Sequence, residues 1–225
     1  MAATAADARV ALVAGATGLV GREVLAALLA DKRYTAVHIV GRRKLPHQHP
    51  KLTQQVVNFS AMGKLPPVDD VFIALGTTIK TAGSKQAFRA VDYEAIMAVA
   101  LAARAQGATK LGVVSAMGAD ASSSIFYNQV KGEMEAGLET VGYDSLVIAR
   151  PSMLAGNREA LDQPARSGER IALVATRWLK AVIPANYQSI AARDVAYALV
   201  NTVADASPGV FRMLSGEMQG ASVRG

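Results

Sequence analysis

Residues 10–21 read VALVAGATGLVG, and this stretch decides the fold. Val10–Ala14 is apolar without alternation, as expected of a strand covered on both faces. Leu19, Val20, Val24, Leu25, Leu28 and Leu29 then recur at helical spacing. A strand that passes through a glycine-rich turn into a helix is the context in which such a motif cradles phosphate. Gly15 permits the tight turn, Gly18 lets backbone N–H groups approach a pyrophosphate, and Gly21 lets the helix pack closely on the strand. The helix N-terminus adds unsatisfied N–H donors and a partial positive charge. The spacing is G-x-x-G-x-x-G, not the G-x-G-x-x-G of ordinary dinucleotide domains.

Outward from the turn, apolar runs alternate with helical patterns, which predicts parallel strands joined by crossover helices. Strands are expected at Val37–Val40, Gln55–Phe59, Val71–Leu75, Leu111–Ser115, Ser145–Ala149 and Val210–Leu214. Helices are expected at Gln86–Gln106, an alanine-rich stretch closed by Gly107, and at Tyr127–Thr140 and Ala191–Val203. The pattern loosens after Pro151, and Asn157–Arg170 is the expected substrate-side loop. The fold class is therefore α/β, a Rossmann-type doubly wound parallel sheet with a small C-terminal substrate-side lobe. One domain is expected over residues 1–225, with 1–8 disordered and the lobe at about 152–190.

The second strand ends Val40-Gly41-Arg42-Arg43. Domains selective for NAD place an acid about 20 residues after the turn, to hold the ribose 2′-hydroxyl. An acid there would repel a 2′-phosphate, whereas guanidinium groups bind it through paired charge-assisted bonds. Arg42 and Arg43 thus predict NADP(H) as the cofactor. They belong to a run without Asp or Glu from Lys32 to Val68, which also holds Arg33, Lys44, Lys51 and Lys64.

Tyr127 and Lys131 lie four apart on a predicted helix, so they share a face. A nearby cation favours tyrosinate, and the expectation is that Lys131 draws the phenol's pKa down. The phenol can then exchange a proton with a substrate oxygen.

These features together resemble the extended or atypical short-chain dehydrogenase/reductase family. The resemblance is carried by the glycine turn, Gly41-Arg42-Arg43, Ala74-Leu75-Gly76-Thr77-Thr78, Val91-Asp92-Tyr93, Ser115 and Y-x-x-x-K. Within the family, Leu75–Thr78, Ser115–Asp120 and Gln129–Glu133 look like the HIV Tat-interacting oxidoreductase-like group and its bacterial relatives. The resemblance runs from about Val10 to Arg158, with an echo at Arg193–Ala196. It implies that Gly15, Thr17, Gly18, Leu19, Val20 and Gly21 contact the pyrophosphate, and Arg42 and Arg43 the 2′-phosphate. It implies further that Leu75, Gly76 and Thr77 line the ribose side, that Pro151, Met153 and Leu154 pass beside the nicotinamide, and that Lys131 also holds the nicotinamide ribose. Ser115, Tyr127 and Lys131 would form the catalytic group, with Asp92 in support. The group often carries two consecutive serines where this chain has Ser115-Ala116.

Composition narrows the alternatives. The chain has 225 residues, 51% hydrophobic and 19% charged, and no cysteine, which excludes disulfides and cysteine nucleophiles. The start does not read as a signal peptide and no apolar run reaches the roughly 20 residues of a membrane span, so a cytoplasmic protein is expected. The net charge of +6 comes without a nucleic-acid motif. His47 and His49 lie in a basic loop without acidic partners, so no metal is expected. The expected function is an NADP(H)-dependent oxidoreductase acting on a small carbonyl or alcohol of unknown identity, as a monomer or homodimer. The alternative is a catalytically weak NADP(H)-binding regulatory or interaction protein.

Overall fold

The computed structural model describes residues 8–155 and 184–223. Seven strands form one parallel sheet: β1 (Arg9–Ala14), β2 (Tyr34–Gly41), β3 (Leu52–Val56), β4 (Asp70–Ile73), β5 (Lys110–Val114), β6 (Ser145–Arg150) and, after two short strands, β9 (Gly209–Leu214). Their order is β3-β2-β1-β4-β5-β6-β9. The short strands β7 (Leu154–Ala155) and β8 (Ile190–Ala191) pair separately, in parallel. With the 3-10 turn Ala185–Tyr187 they belong to the described part of the lobe expected at about 152–190. The expectations for residues 1–7 and for the loop at 157–170 fall outside the described residues.

Both faces of the sheet are covered because successive residues of a strand point to opposite sides. Ala11 and Val13 of β1 pack with Val24 and Leu28 of α1 (Leu19–Ala30) and with Val195 and Leu199 of the helix at Ala192–Asp205. Leu12 and Ala14 pack on the other face with Ile96, Val99, Met134 and Leu138. Those four come from the helices at Ile96–Arg104 and Phe126–Glu139. The continuous apolar strands are thus explained by burial on both sides.

Two expectations are corrected. The third strand is Leu52–Val56, three residues before the expected start at Gln55. It is an edge strand, largely exposed, so polar Gln54 and Gln55 sit inside it. Val57 then enters the core while Phe59 opens a short 3-10 turn, Phe59–Ala61. The long helix expected at Gln86–Gln106 is also interrupted. After α2 (Ile79–Ala82), α3 (Lys85–Arg89) runs into a π-helical segment, Ala90–Ala95, and only then into α4 (Ile96–Arg104). Alanine-rich composition does not distinguish the two windings, but π turns mark functional sites. Among the described residues the remaining α-helices are α5 (Phe126–Glu139), α6 (Ala192–Asp205) and α7 (Ser215–Met218).

Candidate active site

Strand order reverses at β1, whose neighbours are β2 and β4. A crevice opens at such a switch point, beyond the C-terminal ends of the strands. Here the glycine turn leaves β1. Gly15 has φ +91°, and a Cβ on it would lie 2.5 Å from the backbone of Ala74, just after β4. A Cβ on Gly21 would lie 2.0 Å from the Gly15 carbonyl oxygen. Both positions are therefore closed to larger residues, and the turn is pressed between β4 and α1.

The crevice holds a cavity of about 520 Å³. Gly15, Thr17, Gly18, Arg42, Arg43, Leu75 and Gly76 line it. Leu19, Val20 and Gly21 form the first turn of α1, capped at Gly18 without a side-chain bond to its N–H groups. Pro151, Met153 and Leu154 lie elsewhere, at the start of the β7 segment. Sequence reasoning missed the far wall: Asn58, Phe59 and Ser60 after β3, with Val91, Glu94 and Ala95 of the π segment. Phe59 carried a signal only as part of a misplaced strand, and Val91 only as part of the Val91-Asp92-Tyr93 resemblance.

The basic run divides. Arg33 pairs with Asp31 at 2.6 Å and Asp205 at 3.1 Å, and Lys51 donates to the Asp31 carbonyl. These lie at the N-terminal end of β2. Arg42, Arg43 and Lys44 lie at the other end, exposed, on the cavity and without hydrogen bonds or ion pairs among the described residues.

Tyr127 and Lys131 share one face of α5, as their spacing dictates. Lys131 is buried and its Nζ lies 2.7 Å from Asp92 Oδ1, also buried. Asp92 Oδ2 accepts the Thr77 N–H at 2.9 Å. Gly76 stands beside the pair: a Cβ there would be 3.5 Å from Asp92 Oδ1 and 3.9 Å from Lys131 Nζ. The expectation that Lys131 lowers the phenol's pKa is corrected, because Asp92 takes the ammonium. Burial first, and the Asp92 charge second, push Tyr127 up to about 12. Its ring lies against Phe88, with centroids 5.4 Å apart.

Ser115 is buried, and its hydroxyl donates to Glu135. Glu135 stands one helical turn beyond Lys131 and accepts Arg150 Nη2 at 2.5 Å. Offering that proton to a substrate would require breaking the bond to Glu135. Ser122 is likewise occupied with Asp120. His49 accepts the Lys51 N–H, and among the described residues no three metal-binding side chains are grouped.

No family model matches the chain. The rat protein HTATIP2 is 35% identical over 167 residues, covering 71% of this chain and 67% of that protein. The mitochondrial protein fmp52 of Emericella nidulans is 36% identical over 162 residues, covering 68% and 69%. Among solved structures, MoeE5 in complex with UDP-glucuronic acid and NAD aligns with a TM-score of 0.67 at 17% identity, covering 92% of this chain and 76% of that one. A short chain dehydrogenase family protein from Francisella tularensis aligns with a TM-score of 0.64 at 12% identity, covering 96% and 99%. These two are likenesses of fold. The expectation of a cytoplasmic protein does not stand, since several fungal relatives are mitochondrial by name. By its similarity to HTATIP2 and the FMP52 proteins along two thirds of its length, the chain belongs to the HTATIP2-like group of the short-chain dehydrogenase/reductase family.

Proposed function

We propose that the chain is an oxidoreductase that binds NADP(H) along the crevice and acts on a small carbonyl or alcohol. The observation that carries this reading is the position of Gly76, which lines the cavity and stands beside the Lys131–Asp92 pair, so that even an added Cβ would be 3.5 Å from Asp92 Oδ1. One backbone residue thereby joins the dinucleotide end to the Tyr127 helix. Gly15, Thr17 and Gly18 with the first turn of α1, Leu19 to Gly21, would hold the pyrophosphate. Arg42 and Arg43 would hold the 2′-phosphate, and Leu75, Gly76, Thr77 and Lys131 the ribose side. When bound, a nicotinamide there would supply the hydride chemistry, given to or taken from the substrate carbon. Tyr127 gives the carbonyl oxygen its proton in reduction, or takes it back in oxidation. Lys131, fixed by Asp92, orients this end of the site.

A second reading, a catalytically weak NADP(H)-binding regulator, is favoured by one observation: the Ser115 hydroxyl is committed to Glu135. A carbonyl panel followed by NADPH absorbance separates the two. Turnover that disappears in Tyr127→Phe supports the enzyme. NADPH binding without turnover of any carbonyl overturns it in favour of the regulator.

A further inference from the structure

Glu135 is a buried carboxylate that the proposed reaction does not use, yet donors from three adjacent strands converge on it. The Ser115 hydroxyl, just after β5, donates to it. Arg150, at the end of β6, brings Nε to 3.1 Å from both carboxylate oxygens and Nη2 to 2.5 Å from Oε2. Arg212 of β9 stands 3.9 Å away and donates to Glu139, one turn further along α5. Burying a charge is costly unless it is paired and hydrogen-bonded, and an apolar side chain would fill the same space without that demand. Apolar packing is non-directional, whereas the two-pronged bond to Arg150 fixes where the helix sits against the strand ends.

A second contact decides how α5 responds to that tie. A Cβ on Gly132 would lie 2.1 Å from the Ala121 nitrogen and 2.2 Å from the Asp120 carbonyl carbon, so the middle of the helix is pressed on the backbone of the loop after β5. Glu135 lies three residues beyond this pivot and Tyr127 five residues before it, about 4.5 Å and 7.5 Å along the axis. A tilt about Gly132 that moves Glu135 by about 0.5 Å therefore carries Tyr127 about 0.8 Å the other way. The Lys131–Asp92 pair stands beside the pivot, where tilting displaces it least. At its own end Tyr127 has ring contact with Phe88 and no hydrogen bond among the described residues.

We infer that Glu135 is a positioning residue: tied to Arg150, it sets the tilt of α5 about Gly132 and so holds Tyr127 in its working place. The inference rests on the oxidoreductase reading for what Tyr127 does, and adds the group that places it. A displacement of about 1 Å, caused by a change away from the reacting atoms, can cost about a hundredfold in rate.

The test compares Glu135→Gln, Arg150→Met and Leu138→Ala in the full chain. Leu138, buried on the same helix, touches the core and not the tie. The readouts are the Tyr127 phenolate midpoint, each variant measured against its own Tyr127→Phe partner, and kcat with the Kd for NADPH. A released helix exposes the phenol and draws it away from Asp92, so the midpoint should fall by about one unit toward 10.0 in both Glu135→Gln and Arg150→Met. Charge alone predicts opposite directions, because losing a carboxylate favours the phenolate and losing a guanidinium disfavours it. kcat should fall about tenfold or more in both variants, with the NADPH Kd within about twofold. Leu138→Ala should leave midpoint and kcat near wild type, and Glu135→Asp, which keeps the charge, should recover part of the loss. Midpoints that move in opposite directions, or not at all, overturn the inference, as does an equal shift in Leu138→Ala. If Glu135→Gln does not fold, Arg150→Met decides the same question by the sign of its shift. Absence of turnover in wild type overturns the oxidoreductase reading, while the midpoints still decide whether Glu135 places the phenol.

Discussion

Lys131 Nζ lies 2.7 Å from Asp92 Oδ1, while the other oxygen of that carboxylate accepts the Thr77 N–H. One side chain thus ties α5, the π segment and the loop after β4 together, with its charge balanced inside the protein. Removing one partner of a buried pair leaves an uncompensated charge and costs about 3–5 kcal/mol.

Asp92→Ala and Lys131→Met should each lower stability by about 3–5 kcal/mol in denaturant unfolding. The double variant should lose clearly less than the sum. Additivity to within about 0.5 kcal/mol would show that the two side chains are not energetically coupled.

Arg42 and Arg43 are exposed, so each charge-assisted bond to a 2′-phosphate falls at the low end of its range. Arg42→Ala and Arg43→Ala should each weaken NADPH binding about tenfold, equivalent to about 1.4 kcal/mol. NADH affinity should stay within about twofold. Parallel losses for both cofactors would remove the case for NADP(H) selection.

Tyr127 titrates above the ordinary phenol range because burial and Asp92 oppose the phenolate. Its folded-state value, about 12, exceeds the free value of 10.0. The resulting stability is present below the free value and is lost as pH rises toward the folded one. The phenolate difference spectrum between wild type and Tyr127→Phe should have its midpoint near 12 in the free protein. A midpoint at or below about 9 would mean that Lys131 tunes the phenol after all. Carbonyl reduction, in which a protonated phenol is the donor, should show no loss of rate from phenol ionisation across the neutral range. Tyr127→Phe should reduce kcat by about a hundredfold or more.

Ser115→Ala distinguishes a hydroxyl that holds Glu135 from one that holds substrate. The buried Glu135 would lose an accepted bond, for a stability loss of about 1–3 kcal/mol. kcat should stay within about threefold. A fall in kcat of tenfold or more at unchanged stability would assign the hydroxyl to the substrate oxygen.

Much of the fold was legible because the strands that cross the core announce themselves. Val10–Ala14 and Ser145–Ala149 came within a residue of β1 and β6, since burial on both faces demands unbroken apolar runs. The β3 boundary was not legible, because an exposed edge strand tolerates Gln54 and Gln55. The glycine turn was readable from spacing alone, but the basic run was not. β2 has eight residues, and the nine steps from Arg33 to Arg42 at about 3.3 Å each separate them by roughly 30 Å. The Tyr127–Lys131 face followed from helical periodicity. The partner of Lys131 did not, because no local pattern says that Asp92 turns inward, nor that Ser115 meets Glu135 of α5.

The π segment makes this site depend on the length of the chain as well as its chemistry. Each residue of a regular helix advances about 100°. Deleting one residue between Ala90 and Ala95 would restore ordinary winding and swing Asp92 out of register with Lys131, and Val91 and Glu94 away from the cavity. Substitutions would remove these contacts one at a time. A single-codon deletion would move several at once, so an insertion–deletion scan of this helix would find its most sensitive point in a stretch rich in alanine.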